Sequence, residues 1–129
     1  MPSSTTDLVH AANARRNARA SSDRAARWHR ARAELWAVLD PIVPAGGRVA
    51  IAGAGNGDDV PLSRLASRAS EVHLIDLDVT APRRAIARER RSLRGRITAI
   101  EEDVTAGAAQ RVASAVVADA VVRDGSVPR

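Results

Sequence analysis

Near the middle of the chain, Gly53-Ala54-Gly55-Asn56-Gly57 runs directly into Asp58 and Asp59, joining a backbone almost bare of side chains to fixed negative charge. Glycine has no Cβ, so it permits positive φ and lets a bound molecule lie against the main chain. The free N–H groups that open a following helix add hydrogen-bond donors at the same place. A carboxylate about twenty residues beyond such a loop is placed to accept hydrogen bonds from both hydroxyls of a ribose. Asp76 stands there, in the run VHLIDLD, and a further acidic pair, Glu102-Asp103, precedes Val104.

The glycine spacing discriminates between ligands. A dinucleotide fingerprint is G-x-G-x-x-G, and counting from Gly53 its third glycine would fall at Asp58. An acidic pair at a helix start suits a zwitterionic ligand better than a polyanion. The plainer alternative is a tight βα turn in which Asp58 or Asp59 caps the helix. Asp78, beside Asp76, has the same plain alternative as a cap for the next helix.

These residues need a scaffold, and the flanking pattern supplies one. RVAIAG (48–53) is a short apolar run bounded by turn residues, as in a buried parallel strand. VPLSRLASRA (60–69) places Leu62, Leu65, Ala66 and Ala69 at helical spacing, with Pro61 tolerated in the first turn. EVHLID (71–76) reads as a second strand, APRRAIARERRSL (81–93) as a second helix ended by Gly95, and RITAIEED (96–103) as the start of a third strand. The order β-α-β-α-β implies a parallel sheet with right-handed crossovers. The loop and Asp76 then lie at neighbouring strand ends, on one edge.

Three further segments complete the reading. Residues 1–22 are polar, small and Arg-rich, which predicts a mobile arm ahead of one domain over 23–129. Asp23 is a plausible N-cap for a helix over roughly 24–39, ended by Pro41, Pro44 and Gly46-Gly47. Residues 106–122 carry Val112, Val116 and Ala120 on one stripe with Val117 and Val121 beside it, which predicts a helix needing a sheet to cover. Asp124-Gly125-Ser126 and Pro128 read as a turn before a fourth strand.

Taken together, residues 48–103 resemble the cofactor-binding half of the class I S-adenosylmethionine-dependent methyltransferases. The G-x-G-x-G loop is similar to that family's first motif, which holds the amino-acid part of S-adenosylmethionine. The resemblance implies an α/β, Rossmann-like fold, here a partial doubly wound one with three strands and helices on both faces. It implies cofactor contacts from Gly53, Ala54, Gly55, Asn56, Gly57 and Asp58, and gives the ribose to Asp76. Leu77 would pack on the adenine, and Asp103, with Val104 beside it, would accept from the adenine amino group. Many family members carry an acidic residue two positions before the first loop glycine, where this chain has Ile51.

In the family, strand one is flanked on its other side by strand four. The chain therefore reads as the N-terminal part of such a domain, with RVAIAG as an exposed edge open to self-association or a complementing chain. Methyl transfer needs the acceptor and the sulfonium methyl held in line with water excluded, work done mostly at and beyond strand four. No catalytic base is assigned on this reading, and the acceptor stays open.

Composition narrows the rest. The chain has 129 residues, 45% hydrophobic and 27% charged, consistent with one soluble domain at most. No cysteine is present, so disulfides and thiolate chemistry are excluded, and three scattered histidines leave no metal site in view. His29 and His73 read as surface or packing residues. With 2% aromatic residues, base-stacking platforms are scarce. All 20 positive residues are Arg, giving a net charge of +5. The clusters from Arg15 to Arg32 and from Arg83 to Arg96 could meet phosphates or simply be solvated faces. No apolar run is long enough to span a bilayer, and a cytoplasmic location is the default expectation. The alternatives carried forward are an NAD-type nucleotide-binding module and a non-catalytic basic nucleic-acid-binding or assembly protein.

Overall fold

A computed structural model describes residues 5–18 and 23–124. Three parallel strands, β1 (Arg48–Ala52), β2 (Glu71–Asp76) and β3 (Ile97–Glu101), form a sheet in the order β1-β2-β3. Ala52 pairs with Ile75, and Asp76 with Glu101, so the strands finish close to one level. Both crossovers are helical: α4 (Leu62–Arg68) joins β1 to β2, and α5 (Thr80–Arg88) with α6 (Arg91–Arg94) joins β2 to β3. The three strands and two crossovers expected from the sequence are present.

Alternation along the central strand shows where the core lies. Val72, Leu74 and Asp76 are buried, while Glu71, His73 and Ile75 are not. Leu65 and Ala66 of α4, Ala85 of α5 and Leu93 of α6 join Val72, Leu74 and Ile97 in one apolar cluster. Burying a leucine as fully as Leu65 or Leu74 stabilises the fold by about 2 kcal/mol. Helix α3 (His29–Leu39) adds Trp36, whose ring lies under the Arg64 and Arg68 guanidinium groups, 5.9 and 5.0 Å from its centroid. Arg68 also reaches back to the Asp40 carboxylate and the Asp40 carbonyl, fastening α4 to the end of α3.

The expectation of helices on both faces is met on one face only. A monotonic strand order with crossovers of one hand sends both helices to the same side. On the other side Arg48, Ala50, Ala52, Glu71 and Thr98 are exposed. The last helix, α7 (Ala108–Asp124), packs against α1 (Thr5–Ala18) instead of the sheet. Val112 and Val116, read as core-facing, are 64% and 62% exposed.

Three other segments differ from the sequence reading. Where an arm was expected, Thr5–Ala18 forms α1, because Ala and Arg are strong helix formers even without an apolar stripe. The helix expected over 24–39 is divided into α2 (Arg24–Arg27) and α3 at Trp28, and Asp23 makes no side-chain cap. The turn expected at 124–128 falls outside the described residues from 125 onward. Among the described residues β1 is an edge strand, as the sequence implied.

Candidate ligand-binding site

Parallel strands deliver their connecting loops to one edge, and here the β1 and β2 loops are stitched together. Gly53 N–H donates to the Ile75 carbonyl at 2.8 Å and Ala54 N–H to the same oxygen at 3.2 Å. Gly55 N–H then donates to Asp76 Oδ2 at 2.8 Å. The loop takes this path because Gly53, Gly55 and Gly57 hold φ of 70°, 52° and 66°, values that disfavour a residue with a Cβ.

Asp76 is 6% exposed, and its other oxygen is also occupied. Oδ1 accepts the Asp78 amide at 2.9 Å and the Asn13 Nδ2 amide at 3.0 Å. Asp78 accepts in turn from Asn17 Nδ2 at 3.1 Å and from the Thr80 amide at 3.1 Å, where α5 begins. Val79, not Asp78, stands at the N-cap of α5, which has no side-chain cap, so the bond from Thr80 closes a local turn ahead of the helix. Asn56 points into the protein, 6% exposed, and donates through Nδ2 to the Asn17 carbonyl at 2.8 Å. Ala54, also in the loop, is 5% exposed and belongs to the core cluster.

Sequence reasoning missed Asn13 and Asn17. They lie four apart in α1 and so share a helix face. An amide pair at that spacing in an Ala-rich stretch was the available signal. The low apolar periodicity of the segment concealed the helix that gives the spacing meaning.

The structure brings some expected residues to this edge and turns others away. Leu77 and Asp78 line a cavity of about 290 Å³, closed on one side by His10, Ala11 and Ala14 of α1. Asp58 does not join it and caps no helix, since α4 starts without a side-chain cap. Its carboxylate, 9% exposed, sits instead among arginines. Arg24 Nε is 3.1 Å from Oδ2, paired in charge though not aligned for a hydrogen bond, and Arg88 Nη2 is 3.8 Å from Oδ1. Arg32 Nη1 donates to the Asp58 carbonyl at 2.6 Å. Asp58 thus ties the helices to the rear of the loop, beside a separate cleft of about 340 Å³ lined by Arg32, Gly57 and Arg88.

Asp103 closes its own turn. Oδ1 accepts from the Thr105 hydroxyl and amide, and Oδ2 accepts from the Gly107 amide at 2.9 Å. These bonds, led by the Thr105 hydroxyl, hold its carboxyl below the ordinary value of 3.8. Val104 beside it is 56% exposed. His73 lies 3.7 Å from Glu71, well along β2 from the loop end.

Among the described residues no group of three or more acidic or histidine side chains could hold a metal ion, and no helix is long and apolar enough to cross a membrane. No family model matches the chain, and neither a curated protein nor a solved structure matches it.

Proposed function

We propose that the chain carries the adenosyl-cofactor-binding portion of a class I S-adenosylmethionine-dependent methyltransferase. The observation that carries this reading is the Asp76 carboxylate at the end of β2, bonded to the Gly55 amide of the neighbouring glycine loop. A ribose seated there would have a carboxylate for its hydroxyls and a side-chain-free backbone beside it. The residues fit such a group in two respects. A Cβ built on Gly53 would meet nothing within 4 Å, so the loop is open to a ligand at that residue. Leu77 and Val79, which line the side of the neighbouring cavity opposite α1, offer an apolar wall of the kind an adenine packs on.

On this reading Asp76 holds the ribose, Gly53 and Gly55 border the amino-acid part, and Leu77 lies beside the base. Asp103 would meet the adenine amino group through Oδ2, which accepts from the Gly107 amide and keeps acceptor capacity, and Asp58 acts through the loop instead of touching the ligand. When bound, S-adenosylmethionine supplies an electrophilic methyl group. The chain's own residues bind and orient it. The methyl acceptor stays unassigned. The NAD-type alternative is disfavoured by Asp58, which occupies the position of the third glycine and is engaged with Arg24 and Arg88.

Calorimetric titration with S-adenosylmethionine, S-adenosylhomocysteine and NAD tests the reading. Saturable binding of the first two, lost in Asp76→Ala, is the expected result. Binding of NAD alone, or of none of the three by a folded sample, would overturn it.

A further inference from the structure

The ribose-binding edge is already occupied by the chain itself. A carboxylate offers about four lone-pair sites. Asp76 has committed three of them, to Gly55, Asp78 and Asn13. The first two donors are backbone amides of the loops that build the edge. Asn13 comes from α1, some 63 positions away along the chain. Its amide nitrogen stands at Asp76 as a ribose hydroxyl would, donating a hydrogen bond to the carboxylate.

Asn17 completes the occupation. A Cβ placed on Gly55 would lie 3.5 Å from Asn17 Oδ1, so this side chain covers the face of the loop that glycine leaves bare. Asn17 also donates to Asp78, and its carbonyl accepts from Asn56. With Asp76 only 6% exposed, a diol cannot reach the carboxylate while α1 is seated.

At the loop edge α1 is held by these polar contacts, and its other packing is against α7 and α5. Of the α1 side chains described, Asn17 alone is buried, and Leu8 is 49% exposed. A segment with little apolar burial opens at low free-energy cost. Asn13 and Asn17 are thus the latch.

We infer that α1 is a displaceable strap, a built-in competitor whose Asn13 and Asn17 occupy the diol and loop positions of the nucleoside site until a ribonucleoside ligand replaces them. This rests on the nucleoside reading of the edge given above. Apparent affinity then falls by the fraction of molecules with the strap open, and weakening the latch raises it.

The test uses the full chain, with adenosine as the probe and 2′,3′-dideoxyadenosine as the control lacking the diol. Asn13→Ala keeps a good helix former at an incompletely buried position, so the fold is not at risk. Adenosine is expected to bind Asn13→Ala roughly tenfold more tightly than the unaltered chain. It should also speed amide hydrogen exchange across α1, while the dideoxy compound does neither. Equal adenosine affinity in the two proteins, or slower exchange in α1 on binding, would overturn the strap and leave the nucleoside reading standing. No adenosine binding by either protein would overturn both.

Discussion

The Gly55 amide and the Asp76 carboxylate, 2.8 Å apart, join the loop after β1 to the end of β2. Because Asp76 is the last residue of β2 and Gly55 lies in the loop just beyond β1, the bond fixes that loop relative to the sheet edge. Asp76 has a second function in the same geometry, since its other oxygen accepts from Asp78 and Asn13. Three donors converge on one carboxylate, and acceptor capacity, more than charge, is what the position demands.

Asp76→Asn therefore does not preserve the structure. An asparagine offers one acceptor oxygen and one donor NH₂, yet both carboxylate oxygens face donors. One side must lose its bond and meet a like partner. Leaving buried donors unsatisfied costs about 1–3 kcal/mol. Urea unfolding should show Asp76→Asn and Asp76→Ala both destabilised within that range, and an Asn variant as stable as the original chain would show that acceptor count is unimportant here.

Gly57→Ala carries a backbone penalty. The φ of 66° is unfavourable for an alanine, whereas its Cβ, 3.4 Å from the Ala85 methyl of α5, would make an ordinary contact. The backbone term alone is about 1–2 kcal/mol. Thermal unfolding should register a loss of about that size, and the double variant Gly57→Ala with Ala85→Gly should recover none of it, since the second change only adds glycine's cost inside a helix. Full recovery would mean that the turn does not require a left-handed residue.

The strands, the crossover helix α4 and the place of Asp76 at a strand end were readable because each rests on local pattern: short apolar runs in RVAIAG and EVHLID, helical spacing in VPLSRLASRA, and glycines closing the first run. Placement over a distance was not. Nothing local in residues 5–18 indicates that Asn13 and Asn17 reach Asp76 and Asp78, since those contacts depend on how α1 lies across the edge. The same limit hid the arginine partners of Asp58, which come from α2 and α5. The valine stripe of α7 was visible, but an apolar stripe names no partner, and Val112 and Val116 face outward.

Leu74 and Ile51 occupy paired positions on the covered face, yet they should not weigh equally. Leu74 is on the central strand and 1% exposed, whereas Ile51 lies on edge strand β1 and is incompletely buried. Truncating a fully buried leucine to alanine costs about 2–5 kcal/mol, a large share of a total near 5–15 kcal/mol. Leu74→Ala should sharply lower the urea midpoint and Ile51→Ala should lower it less. The reverse ranking would move the core away from β2.

The start of α7 should respond to acid through Asp103. Its carboxyl is held below 3.8 by the Thr105 hydroxyl and amide, with Gly107 and Arg111 adding to the effect. A carboxylate whose folded value is depressed contributes stability that is present above its unfolded value and is lost as pH falls through the folded one. The turn at residues 103–107 should hold at neutral pH and loosen as pH drops below 3.8. Amide exchange at Thr105, Gly107 and Ala109, corrected for the intrinsic pH dependence of exchange, should show that loosening. In Asp103→Asn the acid step should vanish, with these amides less protected at neutral pH as well; persistence of the step in the variant would assign it to another group.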